Sequence, residues 1–232
     1  MSGGEFDIRT WLVGASYLVA ATLFLLGLQR MASPATARSG IHWAGVGMLL
    51  ATAATFLLPG LHNLPLIVVA LVIGTVAAWI SGKKVAITDM PQMVALYNGM
   101  GGGSAAAIGA VELLRFSALA RGGEVAVAGP GVVVLTLAVL GSAIGAVSLS
   151  GSIIAWAKLD GRLDKRVVFP GQQAFNLLVA VAMAVLGVLA ATTLQPWAIV
   201  AFFLVALLLG VLMTLPIGGA DMPVVISLYN AF

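Results

Sequence analysis

The chain has 232 residues, of which 61% are hydrophobic and only 8% are charged. A soluble domain is about 25% charged, so this composition excludes an ordinary soluble globular protein. The formal net charge of +3 comes from basic residues scattered over short connections, which is typical of membrane loops and not of a nucleic-acid-binding surface. The absence of cysteine excludes disulfides, thiol chemistry and cysteine-based metal sites.

Apolar runs follow one another along the chain, and each is about as long as the twenty residues that cross a hydrocarbon core. They predict an all-α fold, a polytopic bundle of about eight transmembrane helices. The predicted helices cover residues 8–29, 34–58, 64–82, 89–114, 129–157, 170–191, 196–215 and 221–232. Prolines mark several of the starts, because proline is tolerated in the first turn of a helix. The last run would rise only about 18 Å, which predicts a fragment cut within a helix.

The basic residues predict the orientation, because cytoplasmic loops carry an excess of Lys and Arg. With alternating loops, eight basic residues fall on one side and three on the other. The larger set is Arg30, Arg38, Lys83, Lys84, Lys158, Arg162, Lys165 and Arg166, and the smaller is Arg9, Arg115 and Arg121. The asymmetry predicts that the N-terminus of this multi-pass protein lies outside, and the expected location is the cell (inner) membrane.

A ten-residue segment occurs twice, as DMPQMVALYN from Asp89 and as DMPVVISLYN from Asp221. Asp followed by Pro is typical of a helix start, where the carboxylate caps free N–H groups. Each copy ends in an asparagine, Asn98 or Asn230. Nine residues of helix rise about 13.5 Å, which places both amides near the middle of a ~30 Å hydrocarbon core. An amide at that depth needs polar partners, so it should face other helices or water.

Small residues share the helix face that carries Asn98, and the following helix offers a matching stripe with hydroxyl groups. These residues are Ala95, Gly101, Gly102 and Ala105 on the fourth predicted helix and Gly141, Gly145, Ser148 and Ser152 on the fifth. Small residues let membrane helices approach closely. The amides and hydroxyls then have two possible roles: they bond helices to one another, or they hold water in a proton path.

His42 lies eight residues into the second predicted helix if that helix begins at Pro34, which gives a depth of about 12 Å. Histidine takes and releases protons near neutral pH, and an ionisable residue inside a membrane indicates function. The sequence therefore predicts a proton relay at His42, with a buried neutral imidazole as the alternative. A helix start near Ser39 would instead place His42 at the membrane surface.

Four segments together resemble the membrane domain of the β subunit of proton-translocating NAD(P) transhydrogenase. They are TDMPQMVALYNGMGG, GGADMPVVISLYNAF, SGSIIAWAKLDGRL and the opening MSGG. The resemblance implies that inward proton movement is coupled to hydride transfer from NADH to NADP⁺. It places NAD(H) and NADP(H) in separate soluble domains, the NADP(H) domain following the membrane helices. This stretch alone, which shows no nucleotide-binding βαβ unit, is then expected to hold no cofactor and to transfer no hydride.

The resemblance also assigns roles to particular residues. Asn230 carries over as part of the proton path, and Asp221 as a link to the NADP(H) domain. Some relatives have a histidine where this chain has Asn98, so His42 is expected to supply the imidazole from another helix. The complete expected set is a proton path of His42, Asn98, Asn230 and Ser152, with Asp89, Asp221, Lys83 and Lys84 at its cytoplasmic mouth.

The partners implied are the transhydrogenase α subunit with its membrane helices, the chain's own NADP(H)-binding domain and the lipid bilayer, in a dimer of the αβ unit. No nucleic-acid partner is expected. Two other functions stay open at this point. A proton- or ion-coupled secondary transporter would take up a small substrate without other subunits. A scaffolding subunit would tolerate apolar residues in place of His42 and Asn230.

Overall fold

The computed structural model describes residues 8–58, 60–122 and 131–231, with side chains described as far as Leu228. Within these ranges the secondary structure is helical, and no strand occurs. The helices are α1 (Ile8–Met31), α2 (Ala37–Thr55), α3 (Leu64–Lys84), α4 (Met90–Arg121), α5 (Val132–Leu159), α6 (Gln172–Thr193), α7 (Pro196–Thr214) and α8 (Met222–Ala231). A short 3-10 turn precedes α4 (Ile87–Asp89) and another precedes α8 (Gly219–Asp221).

Six of the described helices are long and apolar enough to cross a membrane, namely α1, α3, α4 with its preceding turn, α5, α6 and α7. The predicted all-α, multi-pass membrane fold is therefore confirmed. The helix α2 is outside this group, because Arg38 and His42 lie in its first two turns and lower its hydropathy. The helix α8 is a shorter apolar helix.

The second helix begins later than the proline pattern predicts. The chain makes a turn over residues 33–36, in which the carbonyl of Ser33 accepts hydrogen bonds from the N–H groups of Thr36 (3.1 Å) and Ala37 (2.8 Å). The Thr36 hydroxyl also donates to the carbonyl of Arg30 at 2.6 Å. Pro34 thus lies in this turn, and the predicted start at Pro34 is wrong by three residues.

The chain divides into two compact units, the first ending at Ser81 and the second beginning at Gly82. In the first unit, α1 and α2 form an antiparallel pair that packs backbone to backbone at glycines. A Cβ atom added at Gly27 would lie 2.9 Å from the carbonyl oxygen of Gly40, and one added at Gly47 would lie 3.1 Å from that of Ala20. At the other end of the pair, the hydroxyls of Tyr17 and Thr55 hydrogen-bond at 2.9 Å.

In the second unit, α5 is the central helix and contacts α4, α6, α7 and α8. It runs antiparallel to α4, since Gly99 lies against Ser152 while Gly109 lies against Ser142. At one end of this unit, Ala95, Ala155, Met222 and Ile226 form a buried cluster. We call this end the DMP end, because α4 and α8 begin there and α5 and α7 finish there. A second buried cluster, around Leu113, Ala190, Ala198 and Ile199, lies at the opposite end.

Candidate functional site

The fourth and fifth helices bring a predicted amide and a predicted hydroxyl into direct contact. Asn98 Nδ2 donates a hydrogen bond to Ser152 Oγ at 3.0 Å. Ser152 is completely buried, and Asn98 is partly buried. An amide offers two donor hydrogens and an acceptor oxygen, so one bond to Ser152 leaves further capacity for water. The structure thus joins these two predicted site residues, while their part in a proton path stays a prediction.

Glycines on either side of Asn98 allow this contact. A Cβ atom added at Gly99 would lie 3.1 Å from Ser152 Cβ, and one added at Gly102 would lie 2.8 Å from the carbonyl oxygen of Gly145. Small residues at such positions let two helix backbones approach closely. Gly102 and Gly145 belong to the predicted small-residue faces, whereas Gly99 was not among the residues predicted there.

A groove with a volume of about 510 Å³ runs beside the Asn98–Ser152 pair. Its walls come from α4 and α5 and are mostly apolar, and the lining residues with polar side-chain groups are Tyr97, Asn98 and Ser148. The lining residues are Val94, Tyr97, Asn98, Gly101, Gly102, Ala105, Gly141, Ile144, Gly145 and Ser148. Because a water molecule takes about 30 Å³ of liquid volume, the groove has room for several waters next to these polar groups.

The two DMP segments begin with the same backbone structure. In each copy a 3-10 turn finishes at the aspartate, whose N–H group donates to a carbonyl three residues earlier. The distance is 3.0 Å from Asp89 to Ala86 and 3.1 Å from Asp221 to Gly218. The two segments therefore share a local structure at the DMP end, although the two turn residues before each aspartate differ.

The predicted capping role of the first aspartate is wrong. Asp89 stands at the N-cap position of α4, but its carboxylate makes no capping hydrogen bond. Its backbone has φ −98° and ψ 2°, which differs from the extended conformation that directs a capping side chain at the helix N–H groups. The hydroxyl of the neighbouring Thr88 donates to Asp89 Oδ1 at 3.2 Å instead.

The second aspartate has a cationic partner. Arg166, from the connection between α5 and α6, donates through Nη2 to Asp221 Oδ2 at 3.1 Å. The arginine and aspartate side chains are 60% and 64% exposed, so this ion pair contributes little to stability. The guanidinium lies directly over Gly218, where an added Cβ atom would come 2.7 Å from Arg166 Nε.

The remaining predicted mouth residues, Lys83 and Lys84, occupy the last turn of α3 and are exposed. Cations are favourable at this position, because the free carbonyls of a helix C-terminus carry partial negative charge. Their grouping with Asp89 and Asp221 at one mouth stays a prediction.

The predicted depth of His42 is too great. His42 lies five residues after the observed helix start at Ala37, which corresponds to about 7.5 Å of rise instead of about 12 Å. Its side chain is exposed in the described chain. Asn230 lies in α8, but its side chain is outside the described residues. The predicted meeting of His42 with Asn98 and Asn230 therefore stays a prediction.

The sequence model of the NAD(P) transhydrogenase beta subunit family matches residues 13–232. This chain belongs to that family. The chain is 38% identical over 219 residues to NAD(P) transhydrogenase subunit beta of Rhodospirillum rubrum. A second relative with the same name, from a specified strain of that organism, has the same identity over the same length. The matched region is 94% of this chain and 47% of each relative, so the chain spans about half the length of the curated relatives it matches. The resemblance inferred from the DMP segments is confirmed.

This member of the transhydrogenase beta-subunit family also has a buried cation that the sequence analysis treated as a loop charge. Lys158, in the last turn of α5, is only 6% exposed. Its ammonium donates to the carbonyls of Thr214 (3.3 Å), Leu215 and Ile217 (2.6 Å). A signal was present in the spacing, because Lys158 follows Gly151 and Ala155 on the same buried face of α5.

A second bond at the DMP end ties α4 to the next residue of α5. Gln92 Nε2 donates to the carbonyl of Leu159 at 3.1 Å. The last two residues of α5 therefore bond to the start of the first DMP helix and to the segment that leads into the second. Over residues 8–58, 60–122 and 131–231, no group of three or more His, Cys, Asp or Glu residues is placed to hold a metal ion.

Proposed function

We propose that the chain forms the proton-translocating membrane part of an NAD(P) transhydrogenase, coupling inward proton movement to hydride transfer from NADH to NADP⁺. The observation that carries this proposal is the Asn98–Ser152 pair beside a groove, in a chain of the beta-subunit family. A polar pair next to space for water, between two helices of a multi-pass protein, is the arrangement that proton movement through a membrane needs.

In the proposed path His42 is the group that takes and releases the proton, because imidazole titrates near neutral pH. Asn98, Asn230 and Ser152 hold bridging waters, since amides and hydroxyls each offer both donors and acceptors. Water-mediated hydrogen bonds are nearly as favourable as direct ones, so these groups can support a chain of waters through an otherwise apolar interior.

The proposed coupling acts at the DMP end. Asp89, Asp221, Lys83 and Lys84 respond there to the nucleotide state of a docked NADP(H)-binding domain. That response changes the side of the membrane to which His42 has access. Such coupling is a two-state equilibrium that both the proton and the nucleotide domain bias.

We assign hydride transfer and both nucleotides to soluble domains outside this stretch, because the dinucleotide-binding unit is built on parallel strands. The described ranges contain helices and turns. The NADP(H)-binding domain is the continuation of this chain, and the α subunit supplies the NAD(H) side and further membrane helices. The assembly is a dimer of the αβ unit in the cell (inner) membrane, with the N-terminus of this chain outside.

The test uses the complete enzyme in sealed membrane vesicles, with proton movement and hydride transfer measured together. Replacing His42→Ala should lower proton-coupled turnover by about 100-fold, the lower range for loss of an acid–base group. Asn98→Leu, which removes the amide but retains an apolar side chain, should lower proton movement in the same way. His62→Ala is the matched control, because His62 is exposed in a connection between helices and should leave both activities unchanged.

Wild-type proton-coupled turnover in the His42→Ala enzyme would discard the relay role of His42. Wild-type proton-coupled turnover in the Asn98→Leu enzyme would show that the groove beside Asn98 is not part of the proton path. If both variants translocate protons normally, the proposed path through this part of the chain is wrong.

A further inference from the structure

The segment that leads into the second DMP helix is held by a buried ammonium group. Residues 214–217 contain the last residue of α7 and the turn that follows it. Three carbonyls of this segment, from Thr214, Leu215 and Ile217, accept hydrogen bonds from Lys158 Nζ. Thr214 itself is fully buried, and Ile217 packs against the buried cluster at the DMP end.

The chemistry of a helix C-terminus explains this arrangement. The last carbonyls of α7 have no partner within the helix, and a cation at that position is favourable because the helix end carries partial negative charge. An ammonium group has three donor hydrogens, so one Lys158 side chain can satisfy three carbonyls that converge on it. The carbonyls of Thr214 and Leu215 also accept from the N–H groups of Ile217 (3.2 Å) and Val167 (3.4 Å). A neutral apolar side chain at position 158 would therefore remove the charged donor that the three carbonyls share and that links them to α5.

The exposed side of the same segment has a second and much weaker connection. Arg166 lies over Gly218 and pairs with Asp221 at 3.1 Å in a largely exposed position. Exposed ion pairs contribute little, whereas hydrogen bonds from a charged donor in a buried site are roughly twice as strong as neutral ones. Of these two cations, Lys158 therefore contributes more to the position of residues 214–217 relative to α5. Asp221 follows this segment closely in the chain, so its position depends on the same contact.

We propose that Lys158 is a positioning residue for coupling: it holds the α7–α8 connection so that Asp221 is presented to a docked nucleotide-binding domain. This inference rests on the proposed function. Gln92 supports the arrangement, because its bond to the carbonyl of Leu159 ties the first DMP helix to the same end of α5. A shift at the end of α5 would thus reach both DMP copies together.

The first part of the test measures activity in the complete enzyme in sealed vesicles. Lys158→Met retains the length of the side chain but removes its donors. It should lower the kcat of proton-coupled hydride transfer about tenfold, the size expected when a charged hydrogen-bonding group is lost. The KM for NADH should not change, because its site lies in another domain. Lys158→Arg, which keeps a cationic donor, should restore part of the rate. Lys165→Met is the matched control, because Lys165 is exposed in the neighbouring connection.

The second part reports on the position of the segment, and it uses the absence of cysteine from this chain. With other cysteines of the enzyme removed, Ile217→Cys reports on the DMP end and Leu189→Cys on the opposite end, where Leu189 packs against the other buried cluster. In the Lys158→Met background, the reaction of Cys at position 217 with a maleimide should accelerate about tenfold. The reaction at position 189 should not change.

The proposal is supported if three results occur together: a lower kcat, faster labelling at position 217 alone, and partial rescue by arginine. Wild-type kcat in Lys158→Met overturns it, and so does a lower kcat without faster labelling at position 217. Faster labelling at both positions means general loosening and also overturns a positioning role. Lys158→Gln, which keeps an amide donor, is the second variant if the methionine variant does not accumulate. Failure of wild-type vesicles to couple protons would contradict the proposed function, while the labelling comparison would still test the Lys158 contact.

Discussion

The two DMP segments have the same turn and helix start but are held in different ways. The first leads into α4, which packs along α5 at Gly99 and Gly102 and is tied to it by Gln92. The second leads into α8, whose buried side chains among those described are Met222 and Ile226. Its position depends on the segment before it, which Lys158 holds from the buried side and Arg166 from the exposed side.

The two aspartates differ for the same reason. Asp89 accepts a hydrogen bond from its neighbour Thr88, whereas Asp221 pairs with Arg166 from a distant connection. The two copies thus share the same turn and helix start, while the partner of each carboxylate differs: an adjacent residue for Asp89 and a distant one for Asp221. The first copy is thus packed more closely against α5, whereas the second depends more on the segment before it.

The largest expected effect comes from breaking the close packing of the first copy. In Gly102→Ala the new Cβ would lie 2.8 Å from the carbonyl oxygen of Gly145 and 3.0 Å from the N atom of Leu149. Since backbone atoms must shift, we expect a loss of about 1–3 kcal/mol in the free energy of unfolding. Gly101→Ala is the control, because no atom lies within 4 Å of its added Cβ. Chemical unfolding in detergent measures both variants, and equal stability would contradict packing by close approach.

The contrast between the aspartates predicts unequal effects on coupled turnover. Asp221→Asn should lower proton-coupled hydride transfer about tenfold, because it removes a charged group that is exposed and positioned for docking. Asp89→Asn should lower the rate by a smaller factor, because the described bond of the Asp89 carboxylate is to the adjacent Thr88 and not to a cation from a distant connection. Rates in vesicles of the complete enzyme measure the difference. Equal losses would show that both copies contact the soluble domain in the same way.

The smallest expected effect concerns the contact between the first copy and α5. A double-mutant cycle of Asn98→Ala and Ser152→Ala should give a coupling of about 1 kcal/mol in the free energy of unfolding, typical of a hydrogen bond between membrane helices. Asn98→Ala with Ser104→Ala is the control, because the Ser104 hydroxyl bonds to Met100 of its own helix. These two changes should be additive within about 0.5 kcal/mol. If the effects of Asn98→Ala and Ser152→Ala are additive, the Asn98–Ser152 bond does not contribute to the free energy of unfolding.

Much of the helical framework was predictable, because it depends on residues close together in the sequence. Apolar length and prolines predicted helices near the observed ones, including the start of α7 at Pro196. The small-residue faces predicted that α4 and α5 would pack together with Asn98 and Ser152 between them. These features follow from helical periodicity, which is a property of a single segment.

The missed features depend on contacts between distant segments. A charge at a helix end such as Lys158 looks like an ordinary loop cation, and only the packing of α7 beside α5 shows that it is buried. Asp89 resembles a capping residue until the backbone angles of its turn are known. The start of α2 was misjudged because a turn held by Ser33 and Thr36 uses the residues that the proline pattern assigned to the helix.

For this protein, the sequence by itself determined the membrane class, the family, the approximate helices and the helix starts at the two DMP segments. Only the tertiary structure decided which polar groups meet: Asn98 with Ser152, Arg166 with Asp221, and Lys158 with the carbonyls of residues 214–217. The physical reason is one of range. Hydrophobicity and backbone preference act within a segment, whereas a buried donor or charge must find its partner in whichever helix packs against it.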